Sequence, residues 1–181
     1  MKYQHVFQLL SDISKKKNIT FVLIGGFAVS HYKYARQTMD VDFLITKDDF
    51  EKILPLLEKL DYKIDYNHEV FSRLASKDGL LMMDLDFMFV DAETLAKIVK
   101  DSQRADIAGC EFMVPSLENL IALKLHALKY NPKTRLSKDV PDIINLIKIN
   151  KFDVKSEKFR ELCLKFASEE IYRKILDGLD E

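Results

Sequence analysis

The stretch Phe21–Thr46 constrains the fold of this 181-residue chain more than any other part of it. It begins with the apolar run FVLI, which is short and rich in β-forming residues and therefore predicts a buried strand. Gly25 and Gly26 end that run, and the residues after them begin a helix. Glycine permits a tight turn with bare backbone, and a helix N-terminus presents free N–H groups to an anion. We therefore expect a strand–turn–helix unit that can hold phosphate.

Two aspartates lie in the next predicted strand. Asp40 and Asp42 are two residues apart, so their side chains share one face of the strand, while Val41 and Phe43 share the other. Adjacent carboxylates repel each other, and a fold tolerates them most readily when a divalent cation lies between them. A phosphate-binding turn followed by a carboxylate pair indicates a site for a nucleotide and a metal.

A later apolar run, residues 80–90, carries two further aspartates, Asp84 and Asp86, which again share one face. Apolar residues on both faces of this run favour a central strand rather than an edge strand. A carboxylate pair with a third carboxylate on a neighbouring strand can hold two Mg²⁺ ions, which clamp the attacking and leaving oxygens of a phosphoryl transfer. The sequence leaves open whether Asp84 or Asp86 is the third carboxylate.

Two polar residues between the glycine turn and the carboxylates can add contacts to phosphate. Ser30 lies on the short predicted helix after the turn and offers a hydroxyl group. Arg36 lies four residues before Asp40, where a guanidinium can contact phosphate or orient the carboxylates.

The apolar pattern changes near Pro115. Before it, helical and period-two patterns alternate, and Asp78-Gly79 is a strong turn signal between two predicted strands. After it, every apolar pattern is helical. The sequence thus predicts an α/β (α+β) fold: a core in residues 1–114, with a small mixed β-sheet flanked by helices, and a C-terminal helical region in residues 115–181 packed on that core.

Composition narrows the class of protein. A net charge of −1 gives no electrostatic case for wrapping a long nucleic acid. The two cysteines are far apart and form no CxxC pair, which favours reduced thiols and no zinc site. The N-terminus lacks the apolar core of a signal peptide, and no apolar stretch is long enough to span a bilayer. We expect a cytoplasmic protein without a membrane partner.

The motifs together resemble a known fold. The order strand, Gly-Gly, short helix, Arg-x-Thr-x-Asp-x-Asp, helix and acidic strand is similar to the nucleotidyltransferase fold shared with DNA polymerase β. Within that superfamily the chain resembles the small AbiEii-type nucleotidyltransferases, toxins of bacterial toxin–antitoxin pairs. Val114–Ala127 resembles that family's P-S-x-E-x-L-I-x-x-K-x-x-A helix, and Lys138–Ile143 resembles its K-D-x-x-D segment. The likeness spans about residues 20–148.

The resemblance implies roles for individual residues. Asp40 and Asp42 would be metal ligands, and Asp86 or Asp84 would be the third carboxylate and the general base. Many polymerase-β-like enzymes have Gly-Ser where this chain has Gly26-Phe27, so a serine contact must come from Ser30 or be absent, and AbiEii-type relatives often lack that serine too. The residues implied to bind the nucleotide are Gly25, Gly26, Ser30, Arg36, Thr38, Lys124, which would reach the triphosphate, and Asp139 or Asp142, which would complete the helical side of the site.

The resemblance implies a Mg²⁺-dependent enzyme that moves NMP from an NTP to a hydroxyl group on RNA or tRNA, on a protein or on a small molecule. It also leaves open a role as the toxin of a toxin–antitoxin pair, with an antitoxin protein as partner. The alternative is a catalytically inactive nucleotide-binding or regulatory module of the same fold. The intact set of carboxylates favours the enzyme, because loss of activity usually begins with loss of a carboxylate.

Overall fold

The computed structural model describes residues 3–77 and 82–180, and the predicted turn at Asp78-Gly79 lies outside them. The chain divides into two compact units. The first unit holds the described residues up to Ala28 together with Arg36–Ser116, and the second holds Val29–Ala35 together with the described residues from Leu117 onward. The predicted domains, 1–114 and 115–181, stay a prediction.

Within the described residues, the first unit contains a mixed seven-stranded sheet in the order β3-β4-β5-β2-β1-β7-β6. β2 pairs with β5 and β1 pairs with β7 in parallel, and the other neighbours are antiparallel. The predicted mixed sheet is therefore confirmed. The strands are β1 (Val22–Leu23), β2 (Asp40–Ile45), β3 (Tyr62–His68), β4 (Phe71–Ser76), β5 (Asp84–Phe89), β6 (Gln103–Ile107) and β7 (Cys110–Val114).

The described residues of the first unit form three complete helices, α1 (Val6–Lys17), α3 (Lys47–Glu58) and α4 (Ala92–Lys100). The short helix α2 (Gly25–His31) begins in this unit and ends in the second. The end of α1 follows from its sequence, because Asn18 adopts a left-handed conformation (φ 52°) and its N–H bonds the Ser14 carbonyl. The start of α3 does too, since the Thr46 hydroxyl accepts the Asp49 N–H at 3.2 Å.

Aromatic side chains fill one face of the central strands. Phe43 of β2 and Phe87 of β5 are fully buried, and their ring centroids lie 5.9 Å apart. Phe21 and Phe112 pack against Phe43, and Phe50 of α3 packs against Phe87. Because side chains alternate along a strand, burial of these rings directs Asp42 and Asp86 to the opposite face of the sheet.

The described residues of the second unit are helical apart from their connections, and they form α5 (Leu117–Tyr130), α6 (Pro132–Asn150), α7 (Glu157–Phe166) and α8 (Glu169–Asp180) together with the end of α2. The sequence pattern predicts α6 only over 139–148, and the structure begins it seven residues earlier, at Pro132. Proline has no backbone N–H, so it cannot continue α5. The N–H groups in the first turn of a helix have no partner within that helix, so proline can begin α6. Among the described residues, no helix has both the length and the apolar character that a membrane crossing requires.

Candidate active site

The parallel pairing of β2 with β5 brings three carboxylates together on one face of the sheet. Asp42 lies directly opposite Asp86 in the register, and Asp40 precedes Asp42 by two residues. One carboxylate oxygen from each of these three residues lies within 4.8 Å of the other two. Asp86 is buried, whereas Asp40 and Asp42 are half-buried and open to solvent. Three oxygen donors at this separation fit a divalent cation such as Mg²⁺.

Asp84 lies opposite Asp40 in the same register but has a different environment. Its Oδ1 accepts the backbone N–H of Ser76 at 3.0 Å, which ties it to β4. The cluster of three carboxylates contains Asp86 and not Asp84. Of the two alternatives that the sequence leaves open for the third carboxylate, the geometry therefore favours Asp86.

Gly25 and Gly26, which the sequence predicts as a turn before the helix, are the first two residues of α2, and their lack of a side chain lets this turn of the chain pack directly against Asp42 and Thr38. Gly25 has a φ of +62°, and a Cβ atom placed on it would lie 2.8 Å from the Asp42 Cβ and closer still to the Asp42 carboxylate. A Cβ atom on Gly26 would lie 2.7 Å from the Cβ of Thr38. Real Cβ contacts are longer than this, so both positions exclude a side chain. The turn is thus held against the residues that lead into and form β2.

Thr38 orients one of the carboxylates. Its hydroxyl donates to Asp40 Oδ1 at 2.7 Å. Arg36 lies half-buried in the irregular segment before β2, and Ser30 lies exposed on α2 in the part that belongs to the second unit. Of the residues predicted to contact the nucleotide, the structure thus places Gly25, Gly26 and Thr38 at the carboxylates.

Arg73 of β4 belongs to the site, although the sequence analysis did not identify it. It lies opposite Asp86 in the antiparallel pairing of β4 with β5. Its Nε donates to Asp86 Oδ1 at 2.7 Å and its Nη2 to Asp86 Oδ2 at 2.6 Å, a bidentate pair. The same Nη2 lies 3.5 Å from Asp40 Oδ2. The hydrogen bonds to Asp86 raise the pKa of Arg73 above its ordinary value.

The sequence does carry a weak signal for Arg73. It is a basic residue inside a period-two strand that precedes the acidic strand, and an arginine there suits a carboxylate across the pair. Finding it requires the register between β4 and β5, however, and a two-residue turn at Asp78-Gly79 would place Arg73 opposite Asp84, whereas the structure has it opposite Asp86.

A second cluster of charged residues lies within the helical unit. Lys124 of α5 donates to Asp139 Oδ1 at 3.0 Å and to Asp142 Oδ2 at 2.6 Å. All three residues are buried, with exposures of 6%, 2% and 2%. The two acids are three residues apart on α6, so they share one face of that helix. The structure therefore brings these three predicted residues together as a buried ion cluster.

The cluster is not fully satisfied. Asp139 Oδ2 accepts no hydrogen bond from the residues that the structure describes, and Arg135 Nη1 lies 3.8 Å from it. Burying a charged carboxylate without a partner raises the free energy of the folded state. The positive charge of Lys124 is therefore needed to keep two carboxylates buried in this unit.

The close approach of Gly25 to Asp42 predicts the effect of Gly25→Ala. The substitution should lower the free energy of unfolding by about 2–5 kcal/mol, because it combines an unfavourable positive φ with a clash against Asp42. Gly109 is a matched control, since it has a φ of +75° but open space around it. Gly109→Ala should cost only about 1–2 kcal/mol. Denaturant titrations that give equal losses for the two variants would contradict the packing described for Gly25.

The buried cluster predicts that Lys124→Met destabilises the protein by about 3–5 kcal/mol, because two buried carboxylates lose their cation. Lys129→Met, on the exposed side of the same helix, should change stability by less than about 0.5 kcal/mol. Adding Asp142→Asn to Lys124→Met should restore part of the loss. Urea unfolding followed by circular dichroism measures all three, and a neutral Lys124→Met would contradict the assigned role.

Comparisons with known proteins agree with the fold and with the motifs. The family model described as "Nucleotidyl transferase AbiEii toxin, Type IV TA system" matches residues 8–173. No curated protein matches the chain significantly.

Several solved structures share the architecture. The antibiotic-resistance factor ANT(2'')-Ia is 16% identical, with 96% of this chain and 94% of that chain covered and a TM-score of 0.62. The lincosamide antibiotic adenylyltransferase LnuA is 19% identical over 79% of this chain and 94% of that chain, with a TM-score of 0.55. The Megavirus polyadenylate synthase is 15% identical over 81% of this chain and 31% of that chain, with a TM-score of 0.57.

At these identities the structural likeness establishes the fold, and the predicted nucleotidyltransferase fold is confirmed. The family rests on the sequence match, which extends over most of the chain. The chain belongs to the AbiEii nucleotidyltransferase toxin family, as its motifs indicated.

Proposed function

We propose that this nucleotidyltransferase moves NMP from an NTP to a hydroxyl group of an acceptor, and that Asp40, Asp42 and Asp86 hold the divalent metal, Mg²⁺, that the reaction uses. The observation that carries the proposal is the convergence of these three carboxylates within 4.8 Å of one another. The close packing of the Gly25 turn against Asp42 supports it, because the predicted phosphate-binding element then lies beside the carboxylates.

The donor set suits the metal. Carboxylate oxygens are the ligands that Mg²⁺ prefers, and two of the three acids are open to solvent, from which an ion and a nucleotide arrive. When bound, a pair of such ions neutralises negative charge on the attacking and leaving oxygens of the transfer.

The turn and the segment after it are proposed to bind the triphosphate. Backbone N–H groups at Gly25 and Gly26 are proposed to bind the β- and γ-phosphates, and the close approach of Gly25 to Asp42 supports this because it brings these groups near the carboxylates. We propose Arg36 as a further phosphate ligand and Ser30 as a hydroxyl donor, on the sequence argument alone. Thr38 acts through Asp40, whose carboxylate it holds in place by a 2.7 Å hydrogen bond.

Asp86 is proposed to ligate the metal and to accept the proton of the acceptor hydroxyl. A carboxylate offers about four lone-pair sites, and Arg73 uses one on each oxygen of Asp86. Among the described residues Arg73 is the hydrogen-bond donor to Asp86, which leaves a lone pair on each oxygen for a second partner. Asp86 can therefore keep its bond to Arg73 while it acts as ligand and as general base.

From the family motifs we propose that the nucleotide-binding site includes Lys124, Asp139 and Asp142. Their mutual bonds set a condition on that proposal. Lys124 uses two of its three N–H donors on these carboxylates, so only its third N–H can donate to phosphate while both bonds are kept. The structural role of the cluster stands whether or not Lys124 contacts phosphate.

For the acceptor and the protein partner we propose only a chemical or functional class. Solved structures with this fold include a lincosamide antibiotic adenylyltransferase and a polyadenylate synthase. We therefore propose a small molecule or an RNA as the acceptor. Membership of a type IV toxin–antitoxin family supports an antitoxin as the functional counterpart. The use of NTP and the presence of two free cysteines support a cytoplasmic location.

The proposal predicts how three aspartate variants differ. With labelled NTP, Mg²⁺ and total tRNA, Asp42→Asn and Asp86→Asn should lower label transfer at least about a hundredfold, because each loses a metal ligand. Asp84→Asn is the matched control on the same strand as Asp86. Its amide oxygen can still accept the Ser76 N–H, so its activity should stay within about tenfold of the wild type.

Equal losses for Asp84→Asn and Asp86→Asn would contradict the assignment of the third carboxylate, and transfer that survives Asp42→Asn would contradict the metal site. If tRNA accepts no label, protein and aminoglycoside acceptors are tested next. A wild type that binds NTP but labels no acceptor would favour an inactive nucleotide-binding module.

A further inference from the structure

We propose that Arg73 is a built-in counter-ion of the acidic cluster, which weakens metal binding to the free enzyme and so makes metal binding depend on the NTP. The inference rests on the proposed function, because it assigns the metal to Asp40, Asp42 and Asp86. It concerns a positioning residue that no family motif in this sequence includes.

The contacts of Arg73 span the cluster. Its guanidinium forms the bidentate pair with Asp86 at 2.6 and 2.7 Å and approaches Asp40 Oδ2 to 3.5 Å, so it touches two of the three acids. Three carboxylates within 4.8 Å of one another repel strongly, most of all where one of them is buried as Asp86 is. One fixed positive charge between Asp86 and Asp40 offsets that repulsion, and the acids can stay assembled before a metal arrives.

The sheet fixes this charge in place. Arg73 lies in the middle of β4, directly opposite Asp86, within the stretch Phe71–Leu74 over which β4 pairs with β5. Its side chain is nevertheless 40% exposed on the face that the acids share. The guanidinium is therefore held at the site by a strand and not by a loop, and it is accessible to solvent.

A cation at this position repels a divalent ion held by the same carboxylates. The repulsion between a single and a double positive charge about 5 Å apart corresponds, even in water, to roughly a tenfold loss of affinity. A triphosphate brings negative charge that compensates both cations. Metal and NTP should therefore bind cooperatively, and by linkage each should raise the affinity of the other by the same factor.

A purely orienting role for Arg73 predicts the opposite sign. If its only task were to hold Asp86 in the right rotamer, then removal of the guanidinium would disorder a metal ligand and weaken metal binding. Glutamine at this position keeps a hydrogen-bond donor for Asp86 but removes the charge. Lysine keeps the charge but cannot form the bidentate pair. The two substitutions therefore separate charge from orientation.

The experiment measures Mn²⁺ binding by electron paramagnetic resonance, with and without a non-hydrolysable NTP, for the wild type, Arg73→Gln and Arg73→Lys. Arg73→Gln should bind Mn²⁺ alone roughly tenfold more tightly than the wild type and should show a smaller gain on addition of the NTP. Arg73→Lys should stay close to the wild type. Arg104→Gln removes an exposed arginine on β6 and should change neither quantity.

Weaker Mn²⁺ binding by Arg73→Gln, or an unchanged gain from the NTP, would overturn the inference. If Arg73→Gln folds only when Mn²⁺ is present, the ion replaces the missing charge and the inference stands; failure to fold with Mn²⁺ contradicts it. Failure of the proposed function is distinguishable, because a wild type that binds Mn²⁺ and NTP cooperatively but transfers no nucleotide would refute the activity and not the role of Arg73.

Discussion

The parallel pairing of β2 with β5 decides which side chains of these strands meet. Asp42 lies opposite Asp86, and Phe43 lies opposite Phe87 on the other face. The two phenylalanines are fully buried in an aromatic core, so a shift of the register by one residue would bring aspartates into that core. The hydrophobic packing of one face thus holds the carboxylates of the other face together.

Two of the charged clusters in the described part of the chain contain predicted site residues, and each places two or more carboxylates around one basic residue. In the first unit Arg73 binds Asp86 and approaches Asp40, and in the second Lys124 binds Asp139 and Asp142. The clusters differ in their access to solvent. Arg73, Asp40 and Asp42 are partly exposed, which suits a site that receives an ion, whereas Lys124 and its two acids are buried within their unit.

Much of the architecture follows from local pattern. Apolar periodicity predicts the strands and helices, and the order of motifs predicts the nucleotidyltransferase fold and the family. The start of α6 is the clearest miss, because Pro132 ends one helix and begins the next, and proline reads as a break in either case. The apolar pattern along one segment does not show whether a proline ends a helix or begins the next one.

The candidate site was less accessible from the sequence, because its geometry depends on contacts between strands. Asp84 and Asp86 share a face of β5, and only the pairing with β4, which binds Asp84 through the Ser76 N–H, separates them. Arg73 becomes visible only through the register of β4 with β5. Gly25 shows the same limit: its need for a turn follows from the sequence, but its approach to Asp42 does not.

A crystal structure with Mn²⁺ and a non-hydrolysable NTP, in which anomalous scattering locates the metal, would test directly whether Asp40, Asp42 and Asp86 form a metal site beside the glycine turn. We expect an anomalous peak within coordination distance, about 2–2.5 Å, of oxygens from these three aspartates, with the triphosphate at Gly25-Gly26. A peak at Asp84 without Asp86, or a bound nucleotide with no metal at these acids, would contradict it.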